Sequence, residues 1–371
     1  MNEKLFADGI HDDTAALQEL LDCKGEVRLA PGDYRLTSAL VLRSDTHILA
    51  DGARLFLDPA ARAADRGFLL TTVPGHAVRN FSIDGGIWDA GYSEDNFRVT
   101  DLFDPAQPSG IALNFISAGR FTLRNMTVRN AGTYFMRFGK AHDFRIENIT
   151  LEGDGELTAD DGLHFGGGTR NGTVKGITAR GRQTGGNLIA LNSDENYERF
   201  ENIGLEEGDI EKLSISDITA ENCRNFISLQ SVNSEIRNIS VENVSGGCRG
   251  SAINMDAGRG SKTPLFYDVN KPKGVGCIEN ARFSGFNVRW TEQAACKALI
   301  ICETEMDELE IEGVSIDRGV VVENRFVPTL LVTNIYQRVM RSPLGKSIVI
   351  HDKPIKFEFS GDISNVKFTV D

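Results

Sequence analysis

The sequence predicts an all-β fold, a parallel β-helix, because two kinds of short strand alternate along the chain. The first kind repeats a five-residue phrase in which Asn, Asp or Gly usually precedes an alternation of apolar residues with Thr or Ser. Its copies are RNMTV (124–128), ENITL (147–151), KGITA (175–179), SDITA (216–220), RNISV (237–241), SGFNV (284–288) and EGVSI (312–316). This alternation is typical of strands with one buried face. Intervals of 21 to 47 residues between copies indicate a solenoid with loop insertions.

The second kind of strand lies between these copies and decides the architecture. Its copies are IALNFI (111–116), FMRFG (135–139), GLHFG (162–166), LIALN (188–192), FISLQ (226–230), AINMD (252–256) and LIICE (299–303). No helical pattern separates the two kinds, which argues against a βαβ fold and favours coils stacked at about 4.8 Å. About ten such coils are expected. Cys223, Cys248 and Cys296 each end a turn before a second-series strand, which predicts a stacked cysteine ladder.

Composition indicates one globular domain spanning residues 1–371, since no linker or charge block interrupts the repeats. The net charge of −13 argues against nucleic acid and against an anionic membrane as partners. Six cysteines without a CxxC motif predict neither a metal site nor a disulfide framework, and favour buried free thiols. The repeats suggest no cofactor. A homo-oligomer, including a trimer, stays open.

The N-terminal segment, residues 1–24, predicts a helical cap. Its polar start, MNEKLFADGIHDD, has no signal-peptide pattern, which predicts a cytoplasmic protein, or a secreted one whose leader was removed. Asp13 or Thr14 could N-cap a helix over residues 12–22, because the apolar residues of AALQELLD fall on one face. Such a helix would cover the open strand edges at the end of a solenoid.

The same N-terminal region resembles a known superfamily. The stretches ADGIHDDTAALQELLD (7–22) and GEVRLAPGDYRLTSALVLRSDTHILADGARLFLDP (25–59) look like the opening of the pectate-lyase-like β-helix proteins. There an Asp-Gly-x-x-Asp-Asp-Thr stretch begins a short capping helix and a Pro-Gly-x-Tyr turn leads into the first coil. The resemblance implies that the coils are right-handed.

Within that superfamily the pattern is similar to divergent relatives of the polygalacturonases, glycoside hydrolase family 28. TADDGLHFGG (158–167) resembles their Asn-Thr-Asp-Gly motif and places Asp161 on a catalytic aspartate. Their Gly-Asp-Asp, Gly-His-Gly and Arg-Ile-Lys motifs are missing, because the following coils read GGNLIAL (185–191), RNFISLQ (224–230) and SAINMDAG (251–258). The resemblance implies a carbohydrate ligand, but it does not support polygalacturonase chemistry.

Stacking of the second strand series predicts where a site would lie. Outward positions should align in two files on one face. The first file is Asn114, Arg137, His164, Ala190, Ser228, Asn254 and Ile301, and the second file is Ile116, Gly139, Gly166, Asn192, Gln230, Asp256 and Glu303. Amides, carboxylates, an Arg and a His supply the donors and acceptors that sugar hydroxyls require. The predicted substrate-binding residues in these files are Arg137, His164, Asn192, Gln230, Asn254 and Glu303.

Two insertions should wall one side of a groove on this face. Residues 193–209 follow Asn192 and bring Tyr197, a platform for a sugar ring. Residues 257–277 follow Asp256 and bring Lys262, an anion contact. Plain coverage of the solenoid, or contact between subunits, is the alternative role for both loops.

Three function classes follow from these residues. A glycoside hydrolase needs two carboxyl groups about 5–9.5 Å apart, which predicts Asp161 with Asp194, or Asp256 with Glu303. A polysaccharide lyase needs a base beside a uronate, for which Arg137, Lys140 or His164 could serve. A carbohydrate-binding solenoid without activity is the third class. The acidic balance favours hydrolysis of a poly- or oligosaccharide, with Asp161, Asp194 and Asp256 as the candidate catalytic residues.

Overall fold

The chain folds as a parallel β-helix, with one α-helix and 28 β-strands among the residues that this computed structural model describes. The described residues are 4–58, 67–73, 75–93, 95–101, 104–153, 161–181, 186–194, 200–256, 277–291, 300–303, 306–317, 329–333, 348–350, 356–360 and 366–368. Within them, no helix is both long and apolar enough to cross a membrane.

Seventeen of the described strands form the first sheet, which contains the copies of the repeated phrase. They are β1 (Asp8–Asp12), β2 (Gly25–Arg28), β3 (Gly32–Leu36), β5 (Thr46–Leu49), β6 (Ala53–Leu57), β8 (Val78–Asp84), β9 (Ile87–Asp89), β11 (Ala118–Arg124), β12 (Thr127–Arg129), β14 (His142–Glu152), β16 (Arg170–Arg180), β18 (Ile210–Cys223), β20 (Glu235–Cys248), β22 (Cys277–Trp290), β24 (Met306–Asp317), β26 (Ile348–Ile350) and β28 (Val366–Phe368). Successive coils pair in parallel, as β14, β16, β18 and β20 do.

The other eleven described strands form the second sheet, one strand for each coil. They are β4 (Leu40–Val41), β7 (Leu70–Thr71), β10 (Leu113–Ile116), β13 (Met136–Gly139), β15 (Leu163–Gly166), β17 (Asn187–Asn192), β19 (Asn225–Gln230), β21 (Ile253–Asp256), β23 (Ile300–Glu303), β25 (Thr329–Thr333) and β27 (Lys356–Ser360). The parallel coils and the strand series confirm the fold predicted from the repeats, with eleven described coils where about ten were expected.

Left-handed residues bend the long strands of the first sheet. Asn148, Asp217 and Asn243 have φ angles of 54°, 60° and 58°, and Gly176 and Gly285 have 72° and 67°. Asn, Asp and Gly adopt this conformation at the least cost, because their side chains are short and polar or absent. Asn243 also donates an amide hydrogen bond of 3.2 Å to the Asp217 carboxylate on the preceding coil. The second place of the repeated phrase is therefore a corner of the solenoid.

One copy of the phrase belongs to a different corner. Asn238 of RNISV aligns with Lys212 and Asn171, which form a second series of left-handed residues with φ of 58°, 58° and 55°. The bend that Asp217 makes in β18 is made in β20 by Asn243. Asn between polar and apolar neighbours occurs at both corners, so the sequence phrase alone does not show at which corner a copy lies.

A stack of phenylalanine rings fills the middle of the solenoid. Phe115, Phe138 and Phe165 follow one another in the second sheet, with ring centroids 5.3 and 4.8 Å apart. Phe121 and Phe144 of the first sheet stack at 5.2 Å. All five rings are buried and nearly parallel to their neighbours. Each ring contacts a ring of a neighbouring coil, which helps to fix the register between these coils.

The helix predicted over residues 12–22 is α1 (Thr14–Cys23), and it packs Leu17 and Leu21 against the core. Asp13 occupies the N-cap position, but its carboxylate makes no hydrogen bond to the helix. It accepts hydrogen bonds from the amides of Phe6 (2.6 Å) and Ala7 (3.2 Å) instead. Asp13 therefore ties the N-terminal segment to the start of the helix.

The cysteine ladder has two of its three predicted members in register. Cys223 pairs with Cys248, both are buried free thiols, and burial raises the pKa of the Cys223 thiol well above its usual value. The Cα partner of Cys248 on the next coil is Trp290. Cys296 lies outside the described residues.

Replacing Gly172 with alanine is expected to destabilise the solenoid. A Cβ at this position would overlap the ring of Phe144, which is buried and stacked on both sides. Overpacking of this kind costs about 1–3 kcal/mol of unfolding free energy. Urea unfolding of Gly172→Ala measures the loss, and Thr173→Ala, an exposed neighbour, should stay within about 0.5 kcal/mol of the parent chain. Equal stabilities would contradict the role given to the ring stack.

Candidate functional site

The register of the second sheet brings the predicted files together. In the first file, Asn114, Arg137, His164, Ala190, Ser228, Asn254 and Ile301 are successive Cα partners. In the second file, the partners run from Gly166 through Asn192, Gln230 and Asp256 to Glu303. His164 and Asp256 therefore belong to the same aligned face, as the sequence predicted.

Arg137 lies buried inside this face rather than at an open groove. Its side chain is only 2% exposed. Its Nε donates to Asn114 Oδ1 at 2.8 Å, and its Nη1 donates to the backbone carbonyl of Glu201 at 2.5 Å. The Phe68 ring lies 6.0 Å from the guanidinium carbon. These contacts replace the water that a buried guanidinium loses.

Asp161 and His164 form a second buried group. His164 Nδ1 is 2.7 Å from Asp161 Oδ2, and the two residues are 0% and 5% exposed. Asp161 Oδ1 accepts hydrogen bonds from the backbone amide and the side-chain amide of Asn187, at 2.5 and 3.1 Å. The ring of Tyr134 stacks on His164 with centroids 4.1 Å apart. The carboxylate thus orients the imidazole, as an aspartate does in many catalytic and structural pairs.

Residues 200–208, the cover segment, lie over the early coils of both files. They begin with a 3-10 helix, Phe200–Asn202, whose three residues are buried. Asn202 Oδ1 accepts a 3.0 Å hydrogen bond from the Tyr134 hydroxyl. Leu205 sits so close to Gly139 and Gly166 that a Cβ on either would come within 2.6 or 2.8 Å of its methyl group. The insertion was expected to wall one side of a groove, but its described part covers the face itself.

The Asp194 carboxylate holds a turn. Its Oδ2 accepts hydrogen bonds from the backbone amides of Val232 and Asn233, at 2.7 and 2.8 Å. Ser234 donates its amide to the carboxylate at 3.0 Å and its hydroxyl to Oδ1 at 2.7 Å. The neighbouring Ser193 hydroxyl adds a further bond of 3.1 Å. Asp194 is fully buried, and so many donors favour a structural role over the catalytic one expected.

The distance between Asp161 and Asp194 contradicts their predicted pairing. Asp161 accepts the Asn187 amide at the start of β17, whereas Asp194 lies beyond Asn192 at the other end of that strand. The five strand steps from Asn187 to Asn192 alone cover about 16 Å, at about 3.3 Å each. Two carboxyl groups that cooperate on a glycosidic bond lie about 5–9.5 Å apart.

The later coils keep the polar file that the sequence predicted. Asn192 and Asn254 are 7% and 6% exposed, and Gln230 is half-buried. The Asn254 amide donates a 3.3 Å hydrogen bond to the Ser228 hydroxyl. Asp256 and Glu303 are direct Cα partners on adjacent strands. Tyr197 and Lys262 lie outside the described residues, and so their predicted roles stay predictions.

Tyr134, Glu201 and Asn202 contribute to this site without having been predicted from the sequence. Tyr134 stands directly before the strand FMRFG, where an aromatic residue could have been recognised as a neighbour of the files. Glu201 and Asn202 come from an insertion without periodicity, so no pattern placed them over Arg137 and Tyr134. Among the described residues, no three His, Cys, Asp or Glu side chains gather as metal ligands.

Comparison with known proteins supports the fold. No family model and no curated protein matches the chain. The polygalacturonase from Erwinia carotovora ssp. carotovora matches with a TM-score of 0.60 at 14% identity, over 99% of this chain and 98% of that chain. The endo-xylogalacturonan hydrolase from Aspergillus tubingensis matches with a TM-score of 0.59 at 12% identity, over 97% and 98%. An iota-carrageenase complexed to iota-carrageenan fragments matches with a TM-score of 0.54 at 12% identity, over 99% and 88%. The chain shares the β-helix fold of these proteins, as the resemblance implied.

Replacing Asp194 with asparagine is expected to lower stability. An amide keeps only one acceptor oxygen and has no charge, so the backbone N–H groups of residues 232–234 lose charge-assisted bonds, at a cost of about 1–3 kcal/mol. Thermal and urea unfolding of Asp194→Asn measure this loss. Glu242→Gln makes the same change at an exposed position of the first sheet and should leave stability within about 0.5 kcal/mol. An Asp194→Asn protein as stable as its control would contradict the structural role.

Proposed function

We propose that this protein is a carbohydrate-active enzyme, a glycoside hydrolase that binds a poly- or oligosaccharide along the two files of the second sheet. The observation that carries the proposal is the direct register of Asp256 with Glu303, at the end of the polar file that includes Asn192 and Gln230. The fold likeness to a polygalacturonase, a xylogalacturonan hydrolase and a carrageenase supports the same substrate class.

The spacing of Asp256 and Glu303 suits hydrolysis. Their backbones are paired on adjacent strands about 4.8 Å apart, close to the lower end of the range of about 5–9.5 Å that separates the two carboxyl groups of glycosidases. One group would donate a proton to the leaving oxygen while the other acts as base or nucleophile.

Asn192, Gln230 and Asn254 would bind the sugar. Amide side chains both donate and accept hydrogen bonds, which matches hydroxyl groups of either orientation. In this proposal Asp161 orients His164, and Asp194 holds the turn at residues 232–234. Neither residue then takes part in bond cleavage.

A lyase reaction has less support. Arg137 and His164, two of its three candidate bases, are 2% and 0% exposed beneath Glu201 and Tyr134. Lys140, the third candidate, pairs with Glu206 at 2.6 Å. A base must reach the proton beside the uronate carboxylate. A binding protein without activity is the second candidate, favoured by the loss of three of the four polygalacturonase motifs.

Asp256→Asn and Glu303→Gln are each expected to lower the hydrolysis rate by a factor on the order of 10² or more. The substrates to test are polygalacturonate, xylogalacturonan and iota-carrageenan, followed by a wider polysaccharide panel. New reducing ends report hydrolysis, and the ultraviolet absorbance of an unsaturated uronate reports lysis. Glu242→Gln is the matched control and should keep full activity.

Other outcomes of these assays separate the remaining classes. Variants that melt like the parent chain and hydrolyse at its rate would remove Asp256 and Glu303 from the mechanism. Unsaturated products would favour the lyase. Saccharide binding without any cleavage would favour the binding protein.

A further inference from the structure

The early coils of both files are covered. In the first file, Asn114, Arg137, His164 and Ala190 are at most 2% exposed, and Ser228 and Asn254 are 4% and 6% exposed. In the second file, Ile116 is 5% exposed, Gly139 and Gly166 are buried, and Asn192 reaches 7%. Gln230 on β19 is the first member of either file to be more than marginally exposed. Among the described members of both files, the first accessible side chain therefore lies two coils beyond the covered Gly166.

Contacts from several coils fix the cover segment in place. Its Glu201 carbonyl accepts from Arg137 on β13, and its Asn202 accepts from Tyr134 just before that strand. Glu206 pairs with Lys140 at 2.6 Å, and the Gly208 amide donates to the Ser193 carbonyl at 3.0 Å. These polar contacts at both ends hold the cover segment against the face, so that it forms a fixed boundary of the site.

Leu205 seals the second file between these anchors. It occupies the space that side chains at Gly139 and Gly166 would fill, and it is itself 6% exposed. A saccharide lying along the files cannot continue past β15, because protein atoms occupy that part of the face. This end of the face is therefore closed to a saccharide.

We propose that the cover segment makes the protein select the end of a saccharide chain and release products of one fixed short length. This inference rests on the proposed hydrolase function. Asp256 and Glu303 lie one and two coils beyond Gln230, or about 5–10 Å along the axis. A chain end held against the wall places the same bond at this pair in every turnover. Water enters that bond, so each turnover yields one new reducing end and one short product.

Product length over time tests this proposal on the unmodified protein. Polygalacturonate and iota-carrageenan serve as probes, with products sized by mass spectrometry and viscosity recorded in parallel. The expected result is one product length from the earliest time point and a viscosity that falls slowly relative to the bonds cleaved. A ladder of lengths with an early collapse of viscosity would overturn the proposal.

Thiol labelling tests the closed end independently of activity. In a Cys23→Ser chain, Ile116→Cys and Gln230→Cys place one thiol in the covered part of the second file and one in its open part. A maleimide should label residue 116 roughly 100-fold more slowly than residue 230, because labelling then waits for local opening of the cover. The Cys23→Ser chain supplies the reference rate.

The two readouts separate failure of this inference from failure of the proposed function. Equal labelling of residues 116 and 230 in folded variants would overturn the closed end, whatever the enzyme assays give. Protection of residue 116 without cleavage of any polysaccharide would contradict the hydrolase, and with it the release of fixed-length products, while the closed groove would stand. Protection together with a single product length supports both.

Discussion

Parallel pairing of each coil with the next is the constraint on which the rest of this structure depends. It repeats at about 4.8 Å and allows little change of register. The ring stack through Phe115, Phe138 and Phe165 holds the second sheet to this repeat from inside. Bends at Asn148, Asp217 and Asn243 hold the first sheet to it at the corner. Because both sheets keep the same register from coil to coil, side chains far apart in sequence form straight files along the second sheet.

Where the files are covered, burial of their polar side chains costs desolvation free energy. Arg137 and His164 are polar groups that burial removes from water, and each must be satisfied by the protein. Asn114 and the Glu201 carbonyl satisfy Arg137, while Asp161 and the Tyr134 ring accompany His164. The polar character that suggested a binding surface at these coils instead anchors the cover segment. Coils from β17 onward retain the amides and carboxylates that a sugar requires.

The sequence was sufficient for the fold and for the alignment of coils, because both follow from short-range periodicity. The alignment from Asn114 to Asn254 could be predicted since each coil contributes a strand with the same alternation. One error in grouping the phrases has a physical cause. RNISV was grouped with the other copies although Asn238 lies at the other corner, because both corners favour Asn. The large separation of Asp161 and Asp194 could have been estimated from the sequence, because it follows from the rise per residue along β17.

Contacts made by the insertions could not be predicted. Residues 200–208 have no repeat, so their position over Gly139 and Gly166 depends on tertiary packing of Leu205. The bonds from Asp194 to residues 232–234 join segments about forty positions apart. Neither leaves a local pattern in the sequence.

A crystal structure with a bound oligosaccharide tests the central claim most directly, since that claim is a location. The sugar is expected on the second sheet, with its end against the cover segment and a glycosidic oxygen within hydrogen-bond distance of Asp256 or Glu303. Sugar density on the first sheet, or a chain that crosses the position of Leu205, would contradict it.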